Sequence, residues 1–247
     1  MKLNDIILFA DELAPFDTAE EWDNVGLLVG SPDTEISRVL LSLDITPAVV
    51  EEAKKIGAEL IVSHHPVIFS PLHALRPDSA EYLLAKYDIA ALCLHTNLDR
   101  ADMGVNTFLA SALGLDNVVF FPEEFLLVGE PEKPCEAEDF AAFIKKRLKA
   151  PSVRYTQGRV SRVAVSSGGG GEGVELAQKY GFDAFVTGEL KHHQYLCAVQ
   201  HGVAAFDAGH FSTENVVIAP LKEMLADRFP EADFIISEAS VCPYQAK

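Results

Sequence analysis

The 247 residues carry 20 Lys and Arg against 37 Asp and Glu, a formal charge of −17, and 49% are hydrophobic. A chain of this length and apolar content can bury one large core or two modest ones, and its acidity repels a phosphate backbone, which disfavours nucleic acid as a partner. No apolar run approaches the roughly 20 residues of a bilayer span, and the start Met1-Lys2-Leu3-Asn4-Asp5 lacks the basic and apolar regions of an export signal, so no membrane contact and a cytoplasmic setting are expected.

In chain order, runs rich in Val, Ile and Leu predict strands at residues 38–43, 59–63, 89–94, 160–166, 184–187 and 203–206. Segments with apolar positions three and four apart predict helices at 47–56, 79–87, 104–113, 173–180, 191–200 and 214–228. Strands alternating with helices indicate an α/β fold with mainly parallel sheets. The stretch 122–135, with Pro122, Pro131, Pro134 and several glutamates, reads as a connection between two α/β lobes. The lobes are placed at 1–125 and 126–247, a helix at 138–149 and a strand at 153–155 opening the second. The four cysteines form no C-x-x-C pair, so no zinc ribbon or disulfide framework is readable, and Cys93 and Cys197 read as small buried hydrophobes.

The chemically unusual residues gather where predicted strands end, the edge of an open α/β sheet that collects ligands. Asp44, His64-His65, His95 to Asp99, the run Gly168 to Gly171, Gly188-Glu189 and Gly209-His210 all stand there. In Ser63-His64-His65-Pro66 the proline keeps His65 out of helical geometry, so the adjacent imidazoles diverge and suit two neighbouring ions better than one. A hydrogen-bonded turn is the plainer account of the same residues.

In Leu94-His95-Thr96-Asn97-Leu98-Asp99, Asp99 offers a hard oxygen to a mixed ligand set. His95 is read as orienting a ligand or moving protons, and Asn97 as a turn residue. His210 and Glu214 stand four apart, so both face one point if a helical turn begins there; helix initiation, with Ser212 or Thr213 as cap, is the rival account. The glycine run follows a strand and precedes a helix, where amides can cradle an anionic group, but it lacks the Lys-Ser/Thr of a P-loop, and a tight turn explains it equally well. His192 and His193, adjacent on a helix, point apart and suit an exposed or subunit-contact role.

Together these motifs, with Glu20-Glu21-Trp22-Asp23-Asn24-Val25-Gly26-Leu27, Thr187-Gly188-Glu189 and Gly209-His210-Phe211-Ser212-Thr213-Glu214, resemble the Nif-three-like (NGG-one-interacting-factor-like) family, whose members are often labelled GTP cyclohydrolase 1 type 2 homologs. The chain resembles the short form, without the inserted domain of longer relatives. The resemblance implies a dinuclear site holding two divalent cations, Fe, Zn, Mn or Ni, with His65 and Asp99 on one ion, His64 and His210 on the other and Glu214 bridging. It also implies a toroidal homohexamer. A small-molecule substrate, a purine nucleotide by the family label, would be hydrolysed by metal-activated water with His95 as proton shuttle. A metal-binding scaffold or regulator without efficient catalysis is the alternative.

Overall fold

The inner parallel strands of both main sheets are short, mostly aliphatic runs buried on both faces, the pattern parallel strands require when helices cover them. In the computed structural model, which describes residues 1–246, the chain opens with α1 (Leu3–Leu13), burying Leu3, Ile6 and Ala10 at helical spacing. Then follow β1 (Gly26–Val29), β2 (Arg38–Ser42), α2 (Pro47–Ile56), β3 (Leu60–Ser63), α3 (Ala80–Tyr87), β4 (Ala90–Cys93) and the short α4 (Thr96–Arg100). Thr46 and Ser79 cap α2 and α3, accepting from the Val49 and Tyr82 amides, and Pro47 occupies the first turn of α2, where its missing N–H costs nothing.

Beyond α4 come α5 (Val105–Ala112), β5 (Leu115–Phe121), β6 (Leu126–Pro131), β7 (Cys135–Glu136), α6 (Ala137–Leu148), β8 (Arg154–Tyr155), β9 (Arg159–Val160) and β10 (Val163–Ser166). A 3₁₀ segment at Gly171–Leu176 leads into α7 (Ala177–Tyr180), then β11 (Ala184–Thr187), α8 (His192–His201), β12 (Ala204–Asp207) and α9 (His210–Glu214). After a 3₁₀ turn at Asn215–Val217 the chain ends in α10 (Ile218–Arg228) and β13 (Asp233–Ile236).

The chain forms two units, one of residues 1–103 with 218–241, the other of residues 104–217 with the stretch from Cys242 onward. The first holds a five-stranded sheet in the order β1-β4-β3-β2-β13, parallel except for β1. Leu40, Ile61 and Ala91 on its strands pack against Val49, Val50 and Ala53 of α2 and Leu83 and Leu84 of α3. The second holds a six-stranded sheet in the order β5-β6-β10-β11-β12-β8, where β10, β11 and β12 are parallel and the other three pairings antiparallel. Its strands bury Val163, Val165, Val186 and Phe206 against Phe140, Ala141 and Ile144 of α6, and Ala164, Phe185 and Ala205 toward Val174 and Ala198. β7 and β9 pair separately.

These are mixed α/β sheets flanked by helices, parallel for the most part in the first and not in the second. The stretch read as a connection contains β6, whose Leu126, Leu127 and Val128 are buried and pair with β5, so the chain breaks between units at 103 and 104 and not at 125 and 126. The single helix expected at 214–228 is α9 and α10, separated by the 3₁₀ turn, and the second break falls at that turn. Cys93 is buried as expected, whereas Cys197 is partly exposed on α8. Among the described residues no helix is long and apolar enough to cross a membrane.

Candidate metal centre

In the first unit, β3 and β4 run parallel with Ser63 opposite Cys93, so the residues that follow them leave the same sheet edge side by side. His64 and His65 follow β3, and His95 follows β4. Their rings cluster, with centroids 5.0 Å apart for His64 and His65, 5.1 Å for His64 and His95, and 5.5 Å for His65 and His95. One ring nitrogen from each lies within 4.8 Å of the other two, so the three together can hold a metal ion.

The partners of the remaining ring nitrogens fix how the imidazoles present themselves. His64 Nδ1 donates to the Leu94 carbonyl at 2.9 Å, His65 Nδ1 to Asp44 Oδ1 at 2.7 Å, and His95 Nδ1 to Asp23 Oδ1 at 2.8 Å. A carbonyl or carboxylate oxygen can only accept, so each neutral imidazole carries its proton on Nδ1, which makes Nε2 the nitrogen able to accept or to ligate. Asp99, on α4, places Oδ1 3.8 Å from His64 Nε2, too far for a hydrogen bond. Two donors at about 2.0–2.2 Å from one ion lie at most about 4.4 Å apart, so this pair is within reach of a common cation.

Two further residues build this edge. The Asp23 side chain is fully buried and accepts from the Thr96 hydroxyl at 2.6 Å and the Thr96 amide at 3.1 Å besides His95. Burial alone would raise its carboxyl, but the His95 and Thr96 hydrogen bonds outweigh it and hold the group well below the usual carboxylate range. Asn97, read from sequence as a turn residue, is buried and bridges the His95 amide to the Ala14 carbonyl. Burial pushes the Cys93 thiol well above its ordinary value; it donates to the His64 carbonyl at 3.0 Å, which positions the His64 backbone. Asp23 escaped the sequence reading as a site residue because a carboxylate in an irregular stretch carries no strand-end signal.

In the second unit the same logic repeats. Ser166, Thr187 and Asp207 end three parallel strands in register, so Gly168, Gly188 and His210 emerge at one edge. The α9 turn starts at His210 and sets Glu214 on the same face, with His210 Nε2 3.0 Å from Glu214 Oε2. His210 Nδ1 contacts Glu189 Oε1 at 3.0 Å. Both ring nitrogens thus face carboxylate oxygens. Two ligands of one ion stand about 3 Å apart when they subtend a right angle at bonds of about 2.1 Å, so the Nε2 to Oε2 distance suits a shared metal.

Gly168 explains part of the glycine run. Its φ is +55°, and a Cβ there would lie 2.0 Å from Glu214 Oε1 and 3.1 Å from His210 Nε2. Gly188 is equally confined, its absent Cβ 2.7 Å from Thr213 Oγ1 and from the His210 Cα. The Gly168 amide donates to Thr213 Oγ1 at 3.1 Å and the Gly170 amide to the Ser167 carbonyl at 3.2 Å, so these amides support a tight turn under Glu214 instead of a phosphate. A pocket of about 410 Å³ opens beside His210, lined by Arg154, Glu189, Lys191, Asp207 and Tyr244, with Arg154 paired to Asp207. His192 and His193 are exposed on α8.

The model of the Duf34/NIF3 (NGG1p interacting factor 3) family matches residues 1–243. The chain belongs to that family. A relative from Clostridium perfringens named GTP cyclohydrolase 1 type 2 homolog is 31% identical over 260 residues, covering 99% of both chains. Another of that name from Staphylococcus aureus (strain MSSA476) is 31% identical over 346 residues, covering 93% of this chain and 94% of its own. That alignment exceeds the 247 residues here, so the relative carries residues this shorter NIF3 chain lacks. The crystal structure of Staphylococcus aureus protein SA1388 superposes with a TM-score of 0.94 at 32% identity, covering 100% of this chain and 99% of that one.

Proposed function

We propose that this NIF3 chain is a hydrolase dependent on two divalent cations, held by His64, His65 and Asp99 of the first unit and His210 and Glu214 of the second. The observation that supports it most is the trio His64, His65 and His95, each ring with Nδ1 committed to an acceptor. By the family resemblance, His65 and Asp99 would hold one ion, His64 and His210 the other, and Glu214 both. Imidazole and carboxylate together accept iron, zinc, manganese or nickel. Such ions supply Lewis acidity and water of lowered pKa.

The chain's own groups perform the remaining work. Asp23 holds His95 Nδ1–H, so Nε2 is the atom that takes a proton from the attacking water and returns it to the leaving group. Asp44 and the Leu94 carbonyl do for His65 and His64 what Asp23 does for His95, fixing tautomer and direction. The name shared by the relatives points to a purine nucleotide opened by hydrolysis at carbon, and the family resemblance extends the proposal to a cytoplasmic homohexamer. The family description as an interacting factor favours a second reading, a metal-binding scaffold whose partners matter more than turnover.

Nucleotides, phosphoesters and cyclic amides incubated with metal-loaded protein and followed by mass spectrometry test the hydrolase. Turnover of at least one compound, abolished by Glu214→Gln, is expected; no turnover of any compound supports the scaffold. His95→Gln is expected to keep the metal and lose turnover by about 10²–10⁴-fold, whereas loss of metal would make His95 a ligand instead.

A further inference from the structure

Two exposed aromatic side chains stand against the histidine trio of the first unit. Trp22 is 58% and Phe69 53% exposed, unusual for rings of this size. Their centroids are 5.8 Å apart with planes tilted by 49°, and each ring plane stands steeply to that of His95, at 6.2 Å and 75° for Trp22 and 6.4 Å and 79° for Phe69. The wall they form is continuous with His95, itself 5.1 and 5.5 Å from His64 and His65.

This wall is held in place by its flanks and not by its own burial. The Glu20 amide donates to Thr96 Oγ1 at 3.0 Å, and Thr96 donates to Asp23, so the residues around Trp22 are pinned to α4. Arg100 adds bonds to the Thr18 carbonyl and the Glu20 carboxylate. Asn24 Nδ2 donates to the Ile68 carbonyl at 2.5 Å, tying the stretch behind Trp22 to the loop that carries Phe69. Exposed aromatics whose backbones are fixed in advance lose little freedom on binding, which is how proteins hold flat rings beside a reactive group.

We propose that Trp22 and Phe69 form a stacking site for a flat heteroaromatic ring, and so that the molecule processed at the histidine cluster carries one. This rests on the reading of that cluster as a metal-dependent active site and adds to it the residues that hold the substrate's ring. Trp22 and Phe69 are specificity-determining residues here: they grip the ring, while the histidines serve the metals and the proton.

The test uses the fact that Trp22 is the single tryptophan of the chain, so its emission reports the site directly. Zinc-loaded full-length protein is titrated with guanosine monophosphate, nicotinamide mononucleotide and, as a ringless control, ribose 5-phosphate, with zinc content measured on the same samples. Saturable quenching by either ring compound and none by the control is expected. Calorimetric affinity should fall about tenfold in Phe69→Ala and be kept in Phe69→Tyr.

Equal quenching by the control, no quenching by either ring compound, or wild-type affinity in Phe69→Ala would overturn the proposal. So would a blue-shifted emission inaccessible to acrylamide, which would place this face against a second copy of the chain. A protein that shows ring-specific quenching but binds no zinc keeps the stacking site and sinks the hydrolase; one that loads zinc without quenching does the reverse.

Discussion

At the scale of single residues, the candidate centre depends on groups one hydrogen bond removed from its histidines. Asp23 fixes His95 through a 2.8 Å hydrogen bond, and outer partners of this kind are worth about 10–100-fold in metal affinity or activity. Asp23→Asn should therefore lower turnover of the metal-saturated protein by about that factor, read from initial rates; an unchanged rate would mean that the orientation of His95 is irrelevant to the reaction. Gly168→Ala should act through Glu214, because the new methyl must occupy space now filled by Oε1 and the φ of +55° disfavours any side chain. Competition against a chelator should show metal affinity weakened about tenfold or more. These residues were unevenly legible: a histidine pair before a proline announces itself at a strand end, whereas Asp23 lies in an irregular stretch, and the purpose of Gly168 exists only once Glu214 is packed over it.

At the scale of elements, β2 is tied to the start of β3 by Glu59, whose carboxylate accepts from the Ser37 and Arg38 amides and the Ser37 hydroxyl. Burial would raise the Glu59 carboxyl, but these bonds outweigh it and hold the group below its ordinary value of 4.5. A carboxylate whose folded pKa is depressed stabilises the fold above its unfolded pKa, and the contribution disappears as pH falls through the folded one. The gap in urea midpoint between the wild type and Glu59→Gln should hence be widest near neutrality and narrow below about pH 4.5; a gap independent of pH would contradict the assignment. The elements read best from sequence were those buried on both faces, β3, β4, β11 and β12, since continuous apolar runs leave little choice. β5 was missed because its middle residues are exposed, and β6 because the prolines and glutamates around it imitate a linker. β13 and α1 carry patterns too short or too mixed to separate from loop, and the 3₁₀ turn at Asn215–Val217 interrupts what periodicity alone reads as one helix.

At the scale of the whole molecule, each unit delivers its chemistry from the ends of parallel strands, the edge where open α/β sheets gather ligands. The return of residues 218–241 to the first unit is a long-range feature that no local pattern encodes, which is why the sequence suggested a single division of the chain. The excess of 17 negative charges adds long-range attraction for divalent cations without specifying any site. A homohexamer would sediment at six times the chain mass, and a monomer under the same conditions would remove that part of the proposal. Bound metal should also raise the unfolding temperature, because ligands that select the folded state stabilise it by mass action.

The most direct test is the metal content of protein stripped with chelator, reloaded with zinc or manganese, and measured by elemental analysis beside the variant carrying both His64→Ala and His210→Ala. The account predicts about two ions per chain in the wild type, as in binuclear hydrolases, and a marked loss in the variant. Fewer than about one ion per wild-type chain, or full loading of the variant, would contradict it.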